Sequence, residues 1–493
     1  MNRNIWKLGV AMVVLYAAIF IKLNWIQVVQ KDSLDNNPLN TAQVRRDFNR
    51  PRGSIESADG VLLAQSIPNP DTASEFTRVR VYPQADLFAQ VTGYFSFTYG
   101  ASGVERQYSD LLSGLTFDQQ VKSFGDLFVQ RDNVADITVS VRADAQKVAR
   151  DQLGNREGSV VALDPRTGEV LAFWSFPSYD PNTISSISAK EATAAWKAYN
   201  ADPTKPLRAH QYQERYFPGS TFKVVTSGIG LRSGLVTNTD PVYPYATSYT
   251  PAQTNKPISN FGGETCGGAL PEILKVSCNS AFAEMGAVTI GPSEMVKGAQ
   301  AFGFNDTPPL DLPEGVKSVF PTDVGNNPPK LAMSSIGQND VQATPLEIAL
   351  VAAGVANGGT IMKPHVFLTA RDPQGSVLQT YTNAAWRSPL TNDDAFTLRQ
   401  DMVGVVQGGT AVGMQIPGCE VGGKTGTAQL GTTPPMSHTW IMGFAGPPGR
   451  PPTVAIAVVV LNQSGGSEAT GGRVAAPIAR SVLQTILRAQ GSC

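Results

Sequence analysis

Charge is what this 493-residue chain has least of. Only 16% of its residues are Asp, Glu, Lys or Arg, and 39 basic against 40 acidic side chains leave a net charge of -1. Nucleic-acid binders concentrate basic residues on a face or tail; no such excess exists here, and no nucleic-acid partner is expected. Histidine is scarcer still. His210, His365 and His438 are the only three, and no pair has the spacing that sets two imidazoles on one helix face, so a metal site is set aside. The four cysteines, Cys266, Cys278, Cys419 and Cys493, contain no C-x-x-C pair, which removes zinc-ribbon and thioredoxin-like readings. Cys266 and Cys278 are either a short-range bridge, if the body is exported, or two reduced thiols. No internal repeat or long low-complexity tract is present.

One apolar run stands out against this background. Residues 8–21 (LGVAMVVLYAAIFI) are uninterrupted apolar or small, with Arg3 and Lys7 before them. Alone, the run is short for a membrane span and fits a signal-peptide core. Apolar character resumes past Lys22 with Leu23, Trp25, Ile26, Val28 and Val29, and no small-x-small cleavage site follows. Lys22 can snorkel along its methylenes, and Trp25 suits the membrane interface. The expectation is an uncleaved single-pass anchor over 8–29, a cytoplasmic tip over 1–7 and an extracytoplasmic body.

The length implies two or three domains, and 47 glycines with 35 prolines suit a loop-rich mixed α/β chain. Between 30 and 155, RPRGSIESADGVLLA (50–64) alternates around a turn at Ala58-Asp59-Gly60, and DITVSV (136–141) reads as a strand. From Gly158 the character changes: GSVVALDPRTGEVLAFWS reads as two apolar strands around a tight turn. Helical patterns follow at 190–199, 221–231, 270–285 and 345–356. Strands return at 438–448 and 453–462, and 473–490 carries Val474, Ile478, Val482, Ile486 and Leu487 on one helical face. Strands at both ends with helices between them imply a sheet built from both ends of the domain.

Three stretches carry the chemistry. ERYFPGSTFKVV (214–225) sets Ser220 and Lys223 three apart, after a Pro-Gly break and inside an apolar run. Alone, Ser-x-x-Lys is equally a helix cap with a solvated lysine one turn on. In this setting, however, Ser220 falls at a helix first turn, where orphan amides and the dipole favour negative charge on its oxygen. Lys223 shares its face. An apolar environment depresses a lysine's pKa and leaves a neutral amine, the base that a serine nucleophile requires. KVSCNSAF supplies Ser277 and Asn279, alone a cap or turn motif. VGGKTGTAQ supplies Lys424, Thr425, Gly426 and Thr427. GCEVGGKT also fits a Walker A string, but TGTAQLGTTPP is not the helix a phosphate loop must open. Ser-x-x-Lys, Ser-x-Asn and Lys-Thr-Gly each occur once, in the order 220, 277, 424. Together they form the signature of active-site serine penicillin-recognising enzymes.

With these motifs the chain resembles the class B penicillin-binding proteins of bacterial cell-wall synthesis, within them most of all the actinobacterial penicillin-binding protein A branch, on compact length and the absence of a C-terminal addition. RGSIESADGVLLA resembles the family's N-terminal segment, with Ser57 where aspartate is usual. VTGYFSFTYGASGVERQYSDLLSG (91–114), the 158–182 hairpin region, GQNDVQATPLEIALVAAGVANGGTIMKPH and HTWIMGFAG fit it too. The resemblance implies an α+β fold: a central antiparallel sheet flanked by helices with an all-helical subdomain (156–493), on an extended, mostly β pedestal (30–155).

It also implies roles. Ser220 attacks the carbonyl between the terminal D-alanines of a peptidoglycan stem peptide and Lys223 takes its proton. Ser277 relays that proton to the leaving amine, and Asn279 holds Lys223 and the substrate amide. Lys424 and Thr425, beside Gly426, hold the terminal carboxylate, and the amides of Ser220 and Thr427 form an oxyanion hole. β-Lactams acylate the same serine. No cofactor is implied. A polytopic membrane glycan polymerase is the implied partner, through 5–115, in cell-wall synthesis and division. Cys278 stands where some relatives carry aspartate, a variable position.

Other readings stay in view. A class A β-lactamase needs the glutamate of E-x-x-x-N, and no such string occurs. A D,D-carboxypeptidase, with water in place of the acceptor amine, shares the triad. A non-catalytic scaffold or β-lactam sensor would keep the fold alone.

Overall fold

The computed structural model describes residues 3–26, 48–116, 119, 133–464 and 470–493. They divide into two compact units, 1–51 with 67–79, and 52–66 with 80–493. The expected end of the anchor (27–29) and start of the pedestal (30–47) lie outside the described residues.

In the first unit the apolar run is a single helix, Arg3–Asn24, and its segment Ile5–Asn24 is long and apolar enough to cross a membrane. Within the same unit, Phe48 and Phe76 meet edge to face at 5.3 Å, and the Asn49 amide bridges the backbone of Glu75 and Thr77.

The second unit is organised on a five-stranded antiparallel sheet. Its order is Glu420–Gln429, Met436–Gly446, Val454–Ser464, Gly158–Leu163, Val170–Phe176, so both ends of the domain do share it. The 158–176 hairpin pairs Val160 with Trp174 and Ala162 with Ala172. Residues 454–461 are buried without alternation, because helices cover both faces of the sheet. Helix Pro345–Ala356 is apolar but for Glu347, and it is buried along its whole length. The amphipathic helix at the C-terminal end is Ala476–Ala489; Pro477 opens it, and it buries Ile478, Val482, Ile486 and Leu487. Helices Lys223–Arg232, Pro292–Ala301, Pro328–Ser335 and Asn392–Gly408 belong to the helical part.

Within the second unit, part of a further sheet runs in the order Val377–Thr380, Phe367–Arg371, Asp136–Val139, Ile55–Glu56 and residues 62–66. Ile55 and Ile137 are paired in parallel, and Ala370 pairs with Ile137 from the other side. Two strands from beyond residue 360 thus complete the sheet of the pedestal. Their sequence is short and half-exposed, so periodicity gave no sign of it.

One predicted element is corrected. The helix expected over 270–285 is broken into Leu270–Lys275 and Asn279–Glu284, with a π turn, Met285–Ile290, after them. The break falls at Ser277, whose φ of +61° is left-handed, a conformation no helix interior can hold. Cys266 and Cys278 form a disulfide, which settles the open alternative, and Cys419 pairs with Cys493.

Candidate active site

Ser220 sits in a tight turn, Gly219–Phe222, that runs directly into helix Lys223–Arg232. Two glycines let this turn lie against the edge strand Glu420–Gln429. Gly219 has φ +54°, and a Cβ on it would stand 3.0 Å from the Thr427 carbonyl oxygen; a Cβ on Gly426 would stand 2.8 Å from that of Pro218. The turn is pinned elsewhere by Gly219 N donating to Gly337 O (3.0 Å), Thr221 Oγ1 to Pro218 O (2.8 Å) and Trp440 Nε1 to Phe217 O (3.0 Å). Ser220 is left half-buried, its amide and that of Thr427 belonging to two segments packed together.

Lys223, one turn on, has no exposed surface. Its Nζ lies 2.7 Å from Ser277 O, 3.2 Å from Ser277 Oγ and 2.6 Å from Asn279 Oδ1. The left-handed turn at Ser277 delivers that carbonyl: a continuous helix would have tied it up in its own ladder. Asn279 is oriented by its other end, Nδ2 donating to Ser259 O at 3.0 Å. Lys424 is equally buried, with Nζ 2.8 Å from Ser277 Oγ and 2.9 Å from Thr425 O. All three motifs therefore meet at the Ser277 hydroxyl. Thr425 Oγ1 reaches Thr410 Oγ1 at 2.7 Å.

Electrostatics follow from burial. Lys223 is pushed well below the usual lysine value, first by desolvation and then by the charge of Lys424. Burial alone lowers Lys424 to about 7. A neutral Lys223 has two N–H groups and one lone pair. Ser277 O and Asn279 Oδ1 can only accept, so they take the two N–H groups. The lone pair is left to accept a proton, while the Ser277 hydroxyl oxygen, 3.2 Å from Lys223 Nζ, accepts from Lys424. Both lysines thus stand against one hydroxyl, through which a proton can pass.

The sequence reading assembled these residues but missed three others. Asn260 and Ser259 O brace the Ser277–Asn279 segment, and Thr410 touches Thr425; each lies in a loop or strand end without a distinguishing motif. The Walker A alternative fails on geometry, because the Gly-Lys-Thr stretch lies inside the ten-residue strand Glu420–Gln429.

Residues 158–484 match the penicillin binding protein transpeptidase domain, and residues 52–136 the penicillin binding protein A dimerisation domain. The chain is 36% identical to the peptidoglycan D,D-transpeptidase PbpA of Mycolicibacterium smegmatis, covering 99% of each chain. It is 34% identical to the Mycobacterium tuberculosis protein of that name, covering 99% of this chain and 100% of the other. The ceftriaxone acyl-enzyme structure of M. tuberculosis penicillin-binding protein A superposes with a TM-score of 0.82 at 33% identity, over 90% of this chain and 100% of that one. The chain belongs to the penicillin-binding protein transpeptidase family.

Proposed function

We propose that the protein is a peptidoglycan D,D-transpeptidase working through an acyl-serine at Ser220. The observation that carries this is the convergence of Lys223, Asn279 and Lys424 around Ser277, with the Ser220 turn one helical step away. Ser220 Oγ attacks the carbonyl carbon between the two terminal D-alanines, and its proton passes to neutral Lys223. The oxyanion of the tetrahedral intermediate takes hydrogen bonds from the amides of Ser220 and Thr427, where preorganised donors contribute most. The C–N bond breaks as the proton moves through Ser277 to the departing D-alanine amine. An amine of a neighbouring stem peptide attacks the ester, forms the cross-link and frees Ser220. Lys424, as the cation, and the Thr425 hydroxyl beside Gly426 hold the donor carboxylate. β-Lactams, which form acyl-enzymes with the M. tuberculosis relative, acylate Ser220 as donor mimics.

The organisation follows: a cytoplasmic tip (1–7), a single-pass anchor (8–29), a pedestal (30–155) and an extracytoplasmic transpeptidase domain (156–493). Anchor and pedestal, through 5–115, engage a polytopic membrane glycan polymerase during wall synthesis and division; co-purification of this partner with the full-length protein that persists after the pedestal is deleted contradicts that assignment. The central test is Ser220→Ala, which abolishes covalent labelling by a fluorescent penicillin while the thermal melt is unchanged. Labelling that survives means another nucleophile. A thioester donor with a D-amino acid then gives exchange in excess of hydrolysis; hydrolysis alone identifies a carboxypeptidase.

A further inference from the structure

We propose that Asn260 is a positioning residue for acylation: it fastens the lobe over residues 243–268 to the segment bearing Ser277 and Asn279, and so sets the acceptors around Lys223. This rests on the functional reading above. Asn260 is 6% exposed, and its polar groups are all engaged. Nδ2 donates to Ala246 O (2.8 Å) and Glu264 O (3.0 Å), Oδ1 accepts from Ser280 N (2.8 Å), and the backbone N donates to Thr247 O (2.9 Å). These partners fix which end of the amide is oxygen.

Ser280 N is an orphan amide in the first turn of helix Asn279–Glu284, whose own N-cap residue, Cys278, offers no side-chain hydrogen bond. Asn260 caps that helix from another part of the chain. The preceding residue adds a second tie, Ser259 O to Asn279 Nδ2, and the Cys266–Cys278 disulfide a third. All three reach the segment just beyond Ser277, whose left-handed backbone persists only where surroundings hold it. Removing the Asn260 amide strips the buried Ser280 N of its acceptor and takes a donor from the carbonyls of Ala246 and Glu264. The lobe and the helix start then separate, and Ser277 O and Asn279 Oδ1 shift from Lys223 Nζ. The loss appears in the chemical step and in the protonation of Lys223, not in stability alone.

The experiment measures acylation of the full-length protein in detergent by a fluorescent penicillin, across pH, below the melting temperature of every variant. Asn260→Ala is expected to slow the acylation rate constant at least about tenfold, with apparent penicillin affinity within about twofold, and to displace the acid limb of the pH profile. Asn260→Asp keeps an acceptor for Ser280 N and falls between the two. Leu487→Ala, in the C-terminal helix far along the chain, matches the fall in melting temperature and acylates at the wild-type rate. Wild-type kinetics and pH limb in Asn260→Ala, or in Asn260→Asp should the alanine variant not fold, overturn the proposal. So does an equal kinetic loss in Leu487→Ala. A wild-type protein that takes no label at all overturns the functional reading instead.

Discussion

In the pedestal, Glu105 is fully buried between Arg52 and Arg80, each Nε lying 2.6 Å from a carboxylate oxygen. In the cleft, Lys223 and Lys424 are buried as completely, and among the described residues neither is paired with a carboxylate. Burial acting alone would raise Glu105, but the charges of Arg80 and Arg52 outweigh it and hold the carboxyl below its usual range. Tyr82 Oη adds a hydrogen bond at 3.2 Å and Arg80 Nη1 reaches Gly53 O at 2.8 Å. The first cluster is thus locked in its charged state. In the second nothing offsets burial, and the amines answer by giving up protons. Paired burial organises structure; unpaired burial of like charges stores reactivity.

The sharpest way to break that contrast is to truncate each cluster. Lys223→Ala removes the proposed base, and acylation by penicillin should fall by about 10²- to 10⁴-fold, the range general-base catalysis supplies. Its thermal melt should hold or rise, since a buried amine with a depressed pKa opposes folding. Glu105→Ala should do the reverse. It leaves two buried guanidiniums unpaired, a loss of about 3–5 kcal/mol in urea unfolding, while the acylation rate of molecules that remain folded stays at the wild-type value. If Lys223→Ala unfolds the protein, or Glu105→Ala slows acylation without loss of stability, the two clusters do not divide the work in this way.

The cleft cluster was legible in the sequence and the pedestal cluster was not, for a physical reason. Ser220 with Lys223, Ser277 with Asn279, and Lys424 with Thr425 each lie within one turn or strand, where local spacing fixes geometry. Arg52, Arg80 and Glu105 lie 25 and 53 residues apart and meet only through tertiary packing. The same limit explains the other misses. The 158–176 hairpin, the 345–356 helix and the sheet shared between chain ends follow from periodicity and turn chemistry. The sharing of strands Phe367–Arg371 and Val377–Thr380 with the pedestal does not, because short half-exposed strands carry little pattern. Residues 270–285 kept helical spacing of apolar side chains through Ser277, so nothing local announced the break; the need to aim a carbonyl at Lys223 did.

Solvent pH separates the clusters more finely. Glu105 has a lowered folded pKa, so its contribution is complete above the usual carboxylate value and is lost as pH falls through the folded one. Lys424, at about 7 when folded against 10.5 in the open chain, binds fewer protons in the native state between those values. Stability therefore rises with pH in that window, and Lys424→Met should remove about 1 kcal/mol of the rise between about pH 7 and about pH 8. Acylation should show the opposite alkaline trend, weakening above about pH 7 as Lys424 loses the charge proposed to hold a carboxylate. Urea midpoints and label kinetics at matched pH test both signs.

The smallest effect belongs to a pair that is neither buried nor shared. Lys147 and Asp151, one turn apart on helix Ala143–Leu153, form a close ion pair on the surface, with both side chains largely exposed. Lys147 holds Asp151 below its usual pKa through a hydrogen bond, but water and salt screen that attraction. The lysine also precedes the carboxylate, the less favourable order against the helix dipole. Lys147→Ala should therefore shift urea stability by no more than about 0.5 kcal/mol and leave acylation untouched. A loss approaching that of Glu105→Ala would mean that burial is not what separates the structural ion cluster from an ordinary surface pair.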